Sequence, residues 1–203
     1  MSALGRRDLA SGSTTIDPAA WVRAAAAGDA AAWDRLVSQY DGLVWAVARS
    51  FRLSSSDAAD VVQTTWLRLV EHLGRIEKGE RVSAWLVTSA RRECLALLRR
   101  QAHQAPASIA IVELVEDTAP SLDHALLAGE RDSAVWAAFA RLSERCQRLL
   151  RVLVADPPPS YEDVGLALDM PVGSIGPTRG RCLEQLRQKI GIEGTGPLLL
   201  GPS

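Results

Sequence analysis

The chain has 203 residues, 47% hydrophobic and 23% charged, close to an ordinary globular average and far from a disordered, collagen-like or disulfide-dense chain. Its 23 Lys and Arg against 24 Asp and Glu give a net charge of −1, an average that argues against a nucleic-acid binder unless the charge is segregated along the chain. Cys94, Cys146 and Cys182 form no C-x-x-C pair and share no ligand-like spacing with His72, His103 or His124, so neither a disulfide framework nor a zinc site is indicated and no cofactor is implied.

The cysteines are expected to pack as small apolar residues in a reducing cytoplasm. No apolar run approaches the length of a membrane span, and no long apolar segment follows Arg6-Arg7, so neither membrane insertion nor a secretion signal is expected. The opening stretch is rich in Gly, Ser and Thr, and residues 1–27 are read as a flexible leader.

From Trp33 the apolar positions Leu36, Val37, Tyr40, Leu43, Val44, Val47 and Phe51 recur in steps of three and four, the period of an amphipathic helix. Ser54-Ser55-Ser56 breaks that pattern and can cap a second helix carrying Ala58, Val61, Val62, Trp66, Leu69, Val70 and Leu73 at helical spacing, with Gly74 placed to end it. After a polar loop holding Arg75, Lys78 and Arg81, a third helix runs from about Ser83 to Arg100 with Trp85, Leu86, Ala90, Cys94, Leu97 and Leu98 inward. Nothing alternates with period two, so the fold class is all-α.

Residues 101–132 change character. From 101 to 130 there is no Lys or Arg but Glu113, Glu116, Asp117, Asp123 and Glu130, a local charge of −5, interrupted by Pro106 and Pro120. This reads as an acidic linker. A fourth helix follows through Val135, Trp136, Phe139 and Leu142, with a break near Ser143, and Pro157-Pro158-Pro159 stops the next. Ser160 is an N-cap candidate with Asp163 in the capping-box position. A short helix to Leu168, a turn at Asp169-Met170-Pro171 and a last helix to Ile190 form a helix-turn-helix pattern. Residues 28–100 and 133–190 are thus expected to be two helical modules, and 191–203 a flexible tail.

The last helix carries Ser174, Thr178, Arg179, Arg181, Arg187 and Lys189, polar and cationic groups of the kind that contact base edges and phosphates. The same residues would equally suit a helical hairpin with a solvated Arg face. Gly176, Pro177 and Gly180 weaken the helix, and whether Pro177 falls in a tolerant first turn or kinks it stays open.

The segment Asp57-Ala58-Ala59-Asp60-Val61-Val62-Gln63-Thr64-Thr65-Trp66-Leu67-Arg68 resembles the region 2 helix by which sigma factors of the sigma-70 superfamily, small extracytoplasmic-function type, dock on RNA polymerase. Trp85-Leu86-Val87-Thr88-Ser89-Ala90-Arg91-Arg92 through Leu97-Leu98-Arg99-Arg100 resembles the helix that melts and reads the −10 element. Leu142-Ser143-Glu144-Arg145 and Ser160-Tyr161-Glu162-Asp163-Val164 with Met170-Pro171-Val172-Gly173-Ser174-Ile175 resemble region 4, which reads the −35 element. Arg92 and Ala96 depart from the family's usual Asn and Asp, and Gly176-Pro177-Thr178-Arg179 replaces its common Lys-Ser-Arg run, so no promoter sequence carries over.

The resemblance implies a DNA-binding specificity factor rather than an enzyme. Its expected partners are core RNA polymerase (the clamp of the largest subunit and the flap), promoter DNA and an anti-sigma factor. It implies Asp57, Asp60 and Gln63 at the clamp; Arg75, Lys78 and Arg81 around a flipped base; Arg91, Arg92, Arg99 and Arg100 on phosphates; and Trp85 either in the core or at DNA. It also places the linker near the path of nascent RNA, although an acidic solvated tether explains the same composition. A stand-alone helix-turn-helix regulator is the alternative reading. A metal hydrolase lacks a ligand constellation.

Overall fold

The computed structural model describes residues 17–104 and 130–190, and the stretches 1–16, 105–129 and 191–203 lie outside it. The outer leader, most of the acidic linker and the tail therefore lie outside the described residues. The described residues form eight α-helices and no strand: α1 (Pro18–Ala26), α2 (Ala30–Ser50), α3 (Ser55–His72), α4 (Val82–Gln104), α5 (Glu130–Ala140), α6 (Glu144–Leu153), α7 (Tyr161–Leu168) and α8 (Val172–Ile190).

The helix starts are set by local chemistry. The Asp29 carboxylate accepts from the N–H groups of Ala31 (2.9 Å) and Ala32 (3.2 Å), opening α2. Ser54, Ser143 and Ser160 accept from the N–H three residues on at 3.1, 3.4 and 3.1 Å, opening α3, α6 and α7. Pro157 to Pro159 separate α6 from α7, as proline must.

Part of the expected leader is structured. Pro18–Ala26 is a helix capped by the Asp17 side chain on the Ala20 N–H at 3.1 Å, with Val22 buried and α1 packed on α2. Its apolar stripe is short and Ala-rich, so burial against α2 rather than its own periodicity holds it.

Helices α1 to α4 enclose Leu36, Leu69, Leu86, Val44 and Val47, all fully buried. Burying one such side chain contributes roughly 1.5–3 kcal/mol. Helices α5 to α8 enclose Leu149, Val152, Val164 and Ile175. Gln147 is buried among them and donates to the carbonyls of Ala140 and Leu142, both at 2.9 Å, so the end of α5 is satisfied by a side chain from α6.

The two halves are not held apart. Helix α2 packs on α6 and α4 packs on α7, and one apolar cluster runs through both halves.

The cysteine expectation is corrected in part. Cys94 is free and buried, but Cys146 on α6 and Cys182 on α8 form a disulfide with Cα atoms 5.3 Å apart. The pairing is a product of helix packing across 36 residues, which no local spacing announces.

Candidate polymerase and nucleic-acid interface

Helix α3 turns its apolar side inward and leaves Asp60 and Gln63 exposed, with Leu67 (57% exposed) and Val70 (56%) further along the outer face. Asp57, in the first turn, is only half-exposed, and its carboxylate accepts a 3.0 Å hydrogen bond from the Gln101 side chain of α4. The three polar residues therefore share a helix, but one is already engaged. Val70 corrects the expected apolar stripe, since it directly follows the buried Leu69 and turns to the outer face, and Leu67 gave no signal because its spacing leaves it off that stripe.

The loop between α3 and α4 is built from two single-turn 3-10 helices, Leu73–Arg75 and Gly79–Arg81. Together with the flanking helix ends it surrounds an open cavity of about 360 Å³ lined by His72, Arg75, Ile76, Glu77, Lys78, Arg81 and Trp85. The structure thus brings the three predicted loop cations together. It adds His72, whose Nδ1–H donates to the Arg68 carbonyl at 2.8 Å and whose ring lies 6.0 Å from that of Trp85. Trp85 is half-buried, between the two roles left open for it.

Along α4, Arg92 and Arg100 are exposed, and Arg99 Nε donates to the Leu95 carbonyl at 3.0 Å. Arg91 differs from them. Its guanidinium is paired with the Asp169 carboxylate at 3.1 Å, across from α4 to the turn between α7 and α8.

That turn is a helix-turn-helix turn in detail. Asp169 adopts the left-handed conformation (φ 57°) at the end of α7, and the Met170 N–H bonds the Gly165 carbonyl at 3.0 Å. A Cβ at Gly165 would lie 2.9 Å from the Met170 carbonyl, so the tight turn needs glycine there.

Helix α8 starts at Val172, which places Pro177 in its second turn, where the Gly173 carbonyl lacks its usual i+4 donor. Ser174 Oγ donates to the Pro171 carbonyl at 2.8 Å. Arg181 and Lys189 are exposed, Arg179 is half-buried, and Arg187 pairs with Glu184 at 3.6 Å. Thr178 is a correction to the expected DNA-facing set: it is 5% exposed, and its hydroxyl accepts from Arg181 at 3.3 Å, so its side chain packs inward instead of facing DNA. A Thr three residues after the buried Ile175 falls on the core side of the helix.

No helix among the described residues is long and apolar enough to cross a membrane.

Residues 36–104 match the Sigma-70 region 2 family. No curated protein matches the chain by sequence. Solved structures of similar fold include two protein complexes. CnrH in complex with the cytosolic domain of CnrY is 22% identical at a TM-score of 0.53, over 87% of this chain and 99% of that one. The sigma factor RpoE in complex with the anti-sigma factor NepR, from Bartonella quintana, is 19% identical at 0.50, over 79% of this chain and 99% of that one.

The matched segment spans most of α2, from Leu36 on, and the whole of α3 and α4, including the cation-lined cavity. This segment, about a third of the chain, is similar to sigma-70 region 2. The described residues are all-helical, and their fold is similar to that of CnrH and of the sigma factor RpoE.

Proposed function

We propose that this protein is a promoter-specificity subunit that binds core RNA polymerase, directs it to −10 and −35 elements and helps open the DNA, while the polymerase makes the phosphodiester bonds. The observation that carries this reading is the region 2 match over helices that bear an exposed acidic and amide face and a cationic, Trp-containing cavity.

Each surface has a chemical role. Asp60 and Gln63, with Leu67 and Val70 alongside, present carboxylate, amide and apolar groups to a basic helical partner, the polymerase clamp, and Asp57 joins them once Gln101 releases it. The cavity between α3 and α4 takes a base flipped from the non-template strand: Trp85 and His72 offer ring faces for stacking, and Arg75, Lys78 and Arg81 offer charge to the backbone. Arg91, Arg92, Arg99 and Arg100 hold phosphates along α4. In the second half, α8 enters the major groove with Ser174, Arg179, Arg181, Arg187 and Lys189. The flap is the second polymerase contact.

The region 2 boundary at 28–100 and the helix-turn-helix boundary at 133–190 belong to this reading. A cytoplasmic location belongs to it as well, and so does an anti-sigma partner, since RpoE is seen bound to one.

Titrating a fluorescently labelled chain with core polymerase tests the first step. Saturable binding that Asp60→Arg weakens on the order of tenfold or more, with the helical circular dichroism unchanged, is the expected result. A variant that binds as tightly as the parent removes the α3 face from the account.

A further inference from the structure

The cations assigned to a flipped base stand on two short turns. Arg75 ends the Leu73–Arg75 turn and Arg81 ends the Gly79–Arg81 turn. Each turn is closed by its own hydrogen bond, from the Ile76 N–H to the Leu73 carbonyl at 3.3 Å and from the Arg81 N–H to the Lys78 carbonyl at 2.9 Å. Neither bond joins one turn to the other, and a single helical turn on its own is marginal in water.

Helix α1 bridges them. It packs on both turns as well as on α2. Near its start, a Cβ at Gly79 would lie 2.6 Å from the Ala19 Cα and 3.3 Å from the Ala19 carbonyl oxygen, so helix and turn meet at backbone distance. Gly79 is buried and its backbone is not left-handed, so the close approach, rather than the local conformation, demands glycine there. Toward the other end of α1, Ala25 and Ala26 line a second cavity together with Leu73 and Gly74, the two residues before Arg75. Ala19 and Ala25 are six residues apart, about 9 Å along a helix axis. Between them Val22 is buried and anchors the helix in the core. Helix α1 lines no part of the cation-bearing cavity, and it precedes the segment 36–104 that matches region 2, so that match gives it no role.

We propose that α1 is a positioning element for the cation-bearing cavity: by seating Ala19 against Gly79 and its far end beside Leu73 and Gly74, it sets the separation of Arg75 and Arg81. The inference rests on the functional reading above. Placement matters because contacts at hydrogen-bond length are lost when a group moves by about 1 Å.

Two variants disturb this seat without touching a cavity-lining residue. Gly79→Ala drives a methyl group into the Ala19 backbone and pushes the second turn off α1. Asp17→Ala removes the cap on the Ala20 N–H and frays the start of α1, where Ala19 sits, so it reports even if the first variant misfolds. Asp17→Asn removes the same charge but keeps a capping side chain, which separates the cap from the charge.

Amide hydrogen exchange across residues 73–81, and binding of a mixed-sequence single-stranded oligonucleotide at fixed salt, are measured on the full chain. Exchange over 73–81 is expected to quicken in Gly79→Ala and Asp17→Ala while α3 and α4 keep the parent's protection. Oligonucleotide binding is expected to weaken on the order of tenfold for Gly79→Ala and about threefold for Asp17→Ala. Core polymerase binding should stay at the parent's level, and Asp17→Asn should behave as the parent does. Unchanged exchange in both variants would overturn the link between α1 and the turns. Faster exchange with the parent's oligonucleotide affinity would overturn its role at the cavity. Polymerase binding that falls in step with oligonucleotide binding would make α1 a general stabiliser and overturn the positioning role. Run-off transcription by the parent chain with core polymerase tests the functional reading by itself, and the exchange measurement does not depend on that reading, so the two failures are told apart.

Discussion

Cys94 and Tyr40 show how single residues tie the halves of the molecule together. Burial pushes the Cys94 thiol up to about 12 from its ordinary 9.0, and burial with the nearby Asp163 carboxylate raises Tyr40 above 10.0. Tyr40 belongs to α2 and Asp163 to α7, so that effect crosses the interface. Both groups are neutral acids whose folded pKa is raised. The stability they lend is intact below about pH 9 and is lost as pH climbs toward about 12. Thermal melts from pH 8 to pH 11 should show a falling midpoint on the alkaline side, and Cys94→Ala and Tyr40→Phe should each flatten that fall. A midpoint independent of pH over this range would contradict the burial of these groups. At the same scale, replacing Arg91 and Arg92 together by Ala should leave polymerase binding intact and abolish permanganate reactivity at the −10 region; normal reactivity would remove them from the DNA face. Legibility at this scale was uneven. The spacing of Asp60, Gln63 and the loop cations was visible because polar residues off an apolar stripe must face outward. The inward turn of Thr178, the Arg91–Asp169 pair and the placement of His72 against Trp85 depend on tertiary packing that no spacing encodes.

Among the elements, those with both a cap and a stripe were the ones readable in advance. Ser54, Ser143 and Ser160 each accept the bond that their position implied, and the proline run between α6 and α7 acts as expected. Helix α1 was missed because its stripe spans barely two turns, so its neighbours supply the reason for it to form. The link between α6 and α8 was missed because Cys146 and Cys182 meet only after both helices dock. That bridge closes a 36-residue separation, and chain-entropy reasoning assigns it about 4 kcal/mol at most. Cys182→Ser, or added reductant, should therefore lower the melting midpoint of the helix-turn-helix half while leaving α1 to α4 folded. Equal midpoints with and without reductant would mean that the bridge adds nothing in solution.

Across the whole molecule, the net charge of −1 conceals opposing blocks. Arg91 to Arg100 and Arg179 to Lys189 each carry a local +3, and the stretch from 101 to 130 carries −5. A neutral average is therefore compatible with two DNA-facing patches, and its distribution along the chain was the informative quantity. The packing of the halves on one another was not legible, because an acidic spacer between two amphipathic groups says nothing of whether they touch. The most direct measurement of the functional reading is run-off transcription from genomic fragments of the source organism with core RNA polymerase, with and without this protein. The account predicts discrete transcripts that appear only with the protein and vanish with Asp60→Arg. Protein-independent transcripts, or a protein that binds duplex DNA tightly without polymerase and yields no transcript, would contradict it.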